Sequence, residues 1–159
     1  MASKKTKTLH ISKRMTALLF LLTTAALITV TVMLSGKTYK KVDPEPFREL
    51  RIIQEKFAEG TLPFRVMVEL GMPIIMNIMI FVPWGFLLFV LLDDGERMSI
   101  ESYVLVFMLA FGFSSLVEAW QYFLPTRVMD INDVIWNVSG ALLGAVLGHL
   151  QKRVRFEFE

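Results

Sequence analysis

The 159-residue chain has no cysteine and only two histidines. Disulfides and thiolate metal sites are thereby excluded, and His10 and His149 read as interfacial residues, not metal ligands. No Ser-His-Asp set, phosphate loop or H-E-x-x-H motif is present, so no enzyme class, cofactor or metal follows from a signature. Charge is scarce, at 20% of residues, and the formal net charge is only +2. The basic clusters lack interleaved exposed aromatics and any recognisable module, which argues against nucleic acid as a partner. Charge is missing altogether from two long runs, Ser102 to Val117 and Val134 to Gly148.

What is present is apolar. Hydrophobic residues make up 54% of the chain and the mean hydropathy is +0.53. Crossing roughly 30 Å of hydrocarbon takes about 20 helical residues. Four segments meet or approach that length, which predicts an all-α integral membrane protein, a four-helix transmembrane bundle. The spans fall at about 15–36, 70–92, 101–123 and 133–150, within a membrane domain over 15–151. A basic arm (1–14) precedes it and a short tail (152–159) follows. Met1 to Arg14 carries five basic residues and no acid, so the positive-inside rule puts both termini in the cytoplasm of a multi-pass cell-membrane protein. The first apolar run is too long for a signal-peptide core and ends in S-G-K-T-Y-K-K, not a cleavage site. It reads as an uncleaved helix.

Residues 37–69 then form an outer loop with seven Lys/Arg and six Asp/Glu interspersed. Asp43-Pro44-Glu45 reads as an N-cap, a first-turn proline and a first-turn acid. Phe47, Leu50, Ile53 and Phe57 recur at helical spacing and Gly60 ends the run. An amphipathic extracytoplasmic helix is expected over about 44–59, either packed on the bundle or lying in the outer headgroups. Membrane lipid is the expected neighbour, drawn by basic patches near the span ends.

Between the two uncharged runs stand Glu118, Gln121, Arg127, Asp130 and Asp133. At about 100° per residue, Asp130, Asp133, Asn137, Gly140, Gly144 and Gly148 share one stripe of a helix. Ser114 or Ser115, Glu118 and Gln121 share a face of the preceding one. Asn77, Phe81 and Gly85 share a face of the second span, where an Asn must point into the bundle, and Pro83 should bend the helix. Asn77, Ser115, Glu118, Gln121, Arg127, Asp130, Asp133 and Asn137 are therefore expected to converge at the outer face, with Arg127 reaching Glu118 through the Pro125 turn. Three readings remain open for that constellation. One is a structural network capping the fourth helix. Another is a polar binding site for an amphiphile entering from the outer leaflet. The last is catalysis by paired carboxylates, with a divalent cation as one option. The ladder Gly140, Gly144, Gly148 is a close-approach surface for another helix, within the chain or in a self-associated copy.

The same positions carry a resemblance. S-x-x-E-x-x-Q, P-x-R and D-x-x-D-x-x-x-N-x-x-G-x-x-x-G, together with N-x-x-x-F-x-P-x-G from Asn77 to Gly85, resemble the VanZ-like family of small bacterial membrane proteins. The motifs run from Asn77 to Gly148, nearly half the chain. The resemblance implies a link to low-level resistance to teicoplanin and other lipid-tailed glycopeptides. Separately, the ionisable residues expected at headgroup depth suggest an outer polar pocket that engages a lipid-linked cell-wall precursor or a lipoglycopeptide. The alternatives are a membrane enzyme acting on a lipid-linked substrate and an assembly subunit of a cell-envelope complex.

Overall fold

The computed structural model describes residues 12–33, 42–93, 99–124 and 128–153. Most of the basic arm, residues 34–41, most of the Asp93–Arg97 turn, the Pro125–Arg127 turn and the end of the tail lie outside them. Five helices and two very short strands follow in the order α1 (Lys13–Met33), β1 (Val42–Asp43), α2 (Arg48–Ala58), α3 (Phe64–Leu92), α4 (Ser99–Tyr122), β2 (Met129–Asp130) and α5 (Ile131–Arg153). Four of the helices, α1, α3, α4 and α5, are long and apolar enough to cross a membrane. The chain is an all-α integral membrane protein, a four-helix bundle with one short amphipathic helix at its end.

Composition explains the spans. Ser12 opens α1, its hydroxyl oxygen accepting the N–H of Met15 at 3.2 Å. Apolar side chains then cover α1 on all sides, and many of them, Leu18, Leu21 and Leu22 among them, face outward where lipid would lie. α3 has 29 residues, roughly 43 Å at 1.5 Å each. That exceeds the thickness of the hydrocarbon core, a mismatch that tilt or extension beyond the core accommodates. Arg65 and Glu69, paired at 2.7 Å and well exposed, lie in its first turns. α3 runs on through both Pro73 and Pro83 without ending.

The α3–α5 contact is the centre of the fold, and glycine creates it. A Cβ at Gly140 would meet the carbonyl of Ile78, one at Gly144 the carbonyl of Val82, and one at Gly85 the backbone of Ala141. Bare backbone from each helix therefore seats against the other, and Gly148 completes the ladder beside Phe86 and Phe89. With lipid as apolar as any side chain, such packing supplies much of the force that holds helices together. The glycine stripe is thus filled by α3 of the same chain. Trp84 ties in the other two spans. Its indole stacks on Phe113 of α4, with centroids 5.6 Å apart, and donates to Thr24 Oγ1 of α1 at 3.0 Å.

One end of the bundle is covered by residues 42–47, just ahead of α2. β1 pairs in parallel with β2, Val42 opposite Met129 and Asp43 opposite Asp130. This ladder is absent from the expectations above. α2 also begins later than the spacing predicts, at Arg48 and not near residue 44. A second proline explains the delay. Pro46 disfavours the α region for Glu45, so the Asp43-Pro44 cap cannot be followed by a helix. Asp43 instead pairs with Arg48. The turn into α2 is made by Phe47 in the left-handed region, φ 58. Gly60, φ 66, ends α2 as expected. Leu50 and Phe57 of α2 stay exposed, with Phe64 just beyond, while Ile52, Ile53 and Lys56 are half-buried.

Candidate functional site

The strap from Val42 to Glu49 crosses the end of α4 and the start of α5, and the polar residues gather beneath it. Asp130 is the pivot. Its Oδ1 accepts the backbone N–H of Asn132 at 2.8 Å and its side-chain amide at 3.0 Å. The first of these is an N-cap bond, satisfying one of the free donors at the start of α5. The backbone N–H of Asp130 in turn donates to Glu118 Oε2 at 2.9 Å. Glu118 is 2% exposed. An acid this deeply placed on a membrane helix is tolerated only with donors held to it, and the peptide of Asp130 is one such donor.

Asn132 then reaches the strap. Its Nδ2 donates to the Glu45 carbonyl at 2.9 Å, and its Oδ1 accepts from Phe47 N at 2.6 Å. Arg48 pairs with Asp43 and with Glu49, the latter at 3.2 Å, and Arg51 pairs with Glu45. Burial would lower the Arg48 pKa. The bond to Glu49 and the charges of Asp43, Glu49 and Asp130 outweigh it, so the guanidinium is held more firmly charged. Asp130 is pushed the other way. Burial lifts its carboxyl above the usual range, and the Glu49 and Asp43 charges add to the lift, against the two bonds from Asn132.

A second polar group lies deeper, between α3, α4 and α5. Asn77 donates to Asp133 Oδ1 at 2.5 Å, and Asn137 donates to Ser114 Oγ at 2.9 Å. The expected residues therefore divide. Ser115, Glu118 and Asp130 stand together near the strap. Asn77, Asp133 and Asn137 form inter-helix bonds, with Ser114, not Ser115, taking Asn137. Gln121 is buried one turn beyond Glu118. Arg127 lies outside the described residues, and among those residues it is Arg48 that brings a cation to the acids.

Beside Glu118 lies a cavity of about 270 Å³ lined by Val42, Asp43, Pro44, Phe111, Ser115, Glu118, Met129, Asp130, Ile131 and Val134. Phe111, Ser115 and Glu118 follow each other at helical spacing on α4. Ile131 and Val134 face them from α5, and β1 roofs the space. Its walls are almost wholly apolar. Five of the lining residues, Val42, Pro44, Phe111, Met129 and Ile131, are also exposed, so the space is open to the outside. Among the described residues no group of three or more His, Cys, Asp or Glu side chains is placed to hold a metal ion.

Asp43, Glu49 and Asn132 were not among the residues expected here, nor was Arg48. Asn132 sits next to two expected acids but falls off their helical stripe. Asp43 was visible only as an apparent helix cap. The strap residues carry no periodicity that would aim them at α5; only the proximity of two prolines to a run of charge hints at an ordered, non-helical segment.

No curated protein and no solved structure matches the chain. The family model for VanZ/LLP1 matches residues 15–152, spanning all four membrane helices, the strap and the acid cluster, and the chain belongs to the VanZ/LLP1 family.

Proposed function

We propose that the cavity beside Glu118 holds part of an amphiphilic molecule, lipid-linked or lipid-tailed, at the outer face of a bacterial cell membrane. The observation that supports this is the form of the cavity: almost wholly apolar walls, an opening to the outside, and Ser115, Glu118 and Asp130 among the residues that line it. A water-soluble ligand would gain nothing from such walls. An amphiphile can slide in from the leaflet with its chain never leaving an apolar medium. The basic arm favours cytoplasmic termini, which puts the strap and the cavity outside. Exposed Phe57 and Phe64 then sit where aromatic side chains favour the headgroup layer.

The size of the space narrows what enters it. Pockets for drug-sized ligands run from roughly 300 to 1,000 Å³, so about 270 Å³ accepts a headgroup and a length of chain, not a whole glycopeptide. Holding a lipid tail or a lipid-linked precursor in this way would lower antibiotic access to cell-wall precursors, in keeping with a role in low-level resistance to teicoplanin.

The test is susceptibility to teicoplanin in a sensitive host carrying the wild-type chain, Ser115→Phe, which fills the cavity, or Glu118→Gln. The wild type should lower susceptibility and both variants should lose that effect. A Ser115→Phe protein that inserts at the wild-type level yet protects fully overturns the reading.

A further inference from the structure

α2 packs against α3, yet it leaves a large apolar side chain, Phe57, 74% exposed. At roughly 100° per residue the side chains of α2 sort into three arcs. Arg48, Ile52, Lys56, Glu49 and Ile53 fill the first, and each is buried or half-buried. Phe57 and Leu50 come next, and both are exposed. Gln54, Ala58, Arg51 and Glu55 complete the circle, also exposed. A helix packed on a bundle and otherwise in water needs two arcs, one facing the protein and one polar. The additional apolar arc calls for a second apolar neighbour, beside the bundle.

Lipid is the neighbour in reach. A short turn leads from α2 into α3, where Phe64, Met67, Val68 and Met72 are exposed on a helix apolar enough to cross the membrane. Phe57 and Phe64 therefore bracket the turn by which the outward apolar surface of α3 continues onto α2. The charges of this segment cancel: Arg48, Arg51 and Lys56 stand against Glu49, Glu55 and Glu59. An anionic surface has no net charge here to attract, so the contact rests on apolar side chains entering the boundary between headgroups and acyl chains.

We propose that α2 is a membrane-surface anchor, seated with its Leu50–Phe57 flank in the headgroup layer and its Arg51–Glu55 flank in water. The strap runs directly into α2 through Phe47, and Val42, Asp43 and Pro44 of the strap line the cavity. The anchor thus fixes the mouth of the cavity at the depth where headgroup meets chain, whatever molecule enters it.

The chain has no cysteine, so single nitroxide labels report each flank without background. Full-length Leu50→Cys, Phe57→Cys, Glu55→Cys and Ala58→Cys proteins are labelled and reconstituted into phosphatidylcholine vesicles. They are then exposed to oxygen, which concentrates in hydrocarbon, and to a neutral nickel chelate, which stays in water. The oxygen-to-nickel collision ratio should be several-fold higher at positions 50 and 57 than at 55 and 58, and unchanged when phosphatidylglycerol is mixed in. Nickel reaching all four positions equally overturns the anchor and leaves α2 packed on the bundle alone. Exclusion of both reagents from positions 50 and 57 assigns that flank to another protein surface and overturns lipid as its neighbour. A ratio that rises only with phosphatidylglycerol overturns the uncharged mode of contact.

Discussion

Asn132 Oδ1 accepts the backbone N–H of Phe47 at 2.6 Å, across 85 positions of chain. Phe47 is the one non-glycine residue in the left-handed region among those described. That conformation costs an L-residue roughly 1–2 kcal/mol. The Asn132 bond and the edge contact of the Phe47 ring with Trp136, centroids 5.8 Å apart, offset the cost. The strap over the cavity is therefore held from below, by α5.

Asn132→Ala should release the strap. It removes the bonds to Glu45 and Phe47, both partly open to water, a loss of roughly 0.5–1.5 kcal/mol per bond. Limited proteolysis within 42–49 should accelerate while the spanning helices stay intact. Asn132→Asp should be worse than Ala, since it sets a carboxylate oxygen against the Glu45 carbonyl. Equal proteolysis of wild type and both variants would show that the strap is held elsewhere.

The glycines should separate into two kinds. A methyl at Gly144 meets the Val82 carbonyl, and one at Gly85 meets the backbone of Ala141. Neither obstacle is a side chain that can rotate away, so Gly144→Ala and Gly85→Ala must push α3 from α5 and destabilise the bundle. At Gly71 and Gly112 a Cβ meets nothing within 4 Å. Ala there only relieves the helix-interior penalty of glycine, a gain of roughly 0.5–1 kcal/mol. Thermal unfolding of the four variants in one detergent measures the split.

Asn77 and Asp133 should be coupled. Their bond joins α3 to α5 at the level where the two helices approach the acid cluster. A hydrogen bond to a charged group contributes about 1.5–3 kcal/mol in water-soluble proteins, but bonds between membrane helices average nearer 0.6. A double-mutant cycle of Asn77→Ala and Asp133→Ala should therefore return about 1 kcal/mol, and additive effects would show that the contact contributes packing alone.

The spans were legible because hydrocarbon imposes a length and forbids charge; Ser102–Val117 and Val134–Gly148 could hardly read otherwise. The glycine stripe was legible as a contact, though its partner, α3, had to come from the structure. The strap was not legible. Its position depends on Pro46 displacing the start of α2, on a left-handed Phe47, and on Asn132 reaching back over 85 residues. No local period encodes such long-range bonds. The stripe that gathered Asp130, Asp133 and Asn137 also merged two groups that the fold keeps apart. Asp130 caps α5 and faces the strap, while Asp133 and Asn137 turn into the bundle toward Asn77 and Ser114.

Asp130 should make stability fall as pH rises. Its carboxyl is held above the ordinary value of 3.8, by burial first and then by the charges of Glu49 and Asp43. A carboxyl with a raised pKa binds its proton more tightly folded than unfolded. Its contribution is fully present below 3.8 and is lost as pH climbs through the folded-state value. Asp130→Asn keeps an oxygen for the N-cap bond to Asn132 and cannot ionise. The variant should gain on the wild type across that window and hold a constant advantage above it, measured as the difference in unfolding free energy at stepped pH. A wild-type advantage that grows with pH would mean that the ionised carboxylate is the better-held form, and that the field around it is positive, not negative.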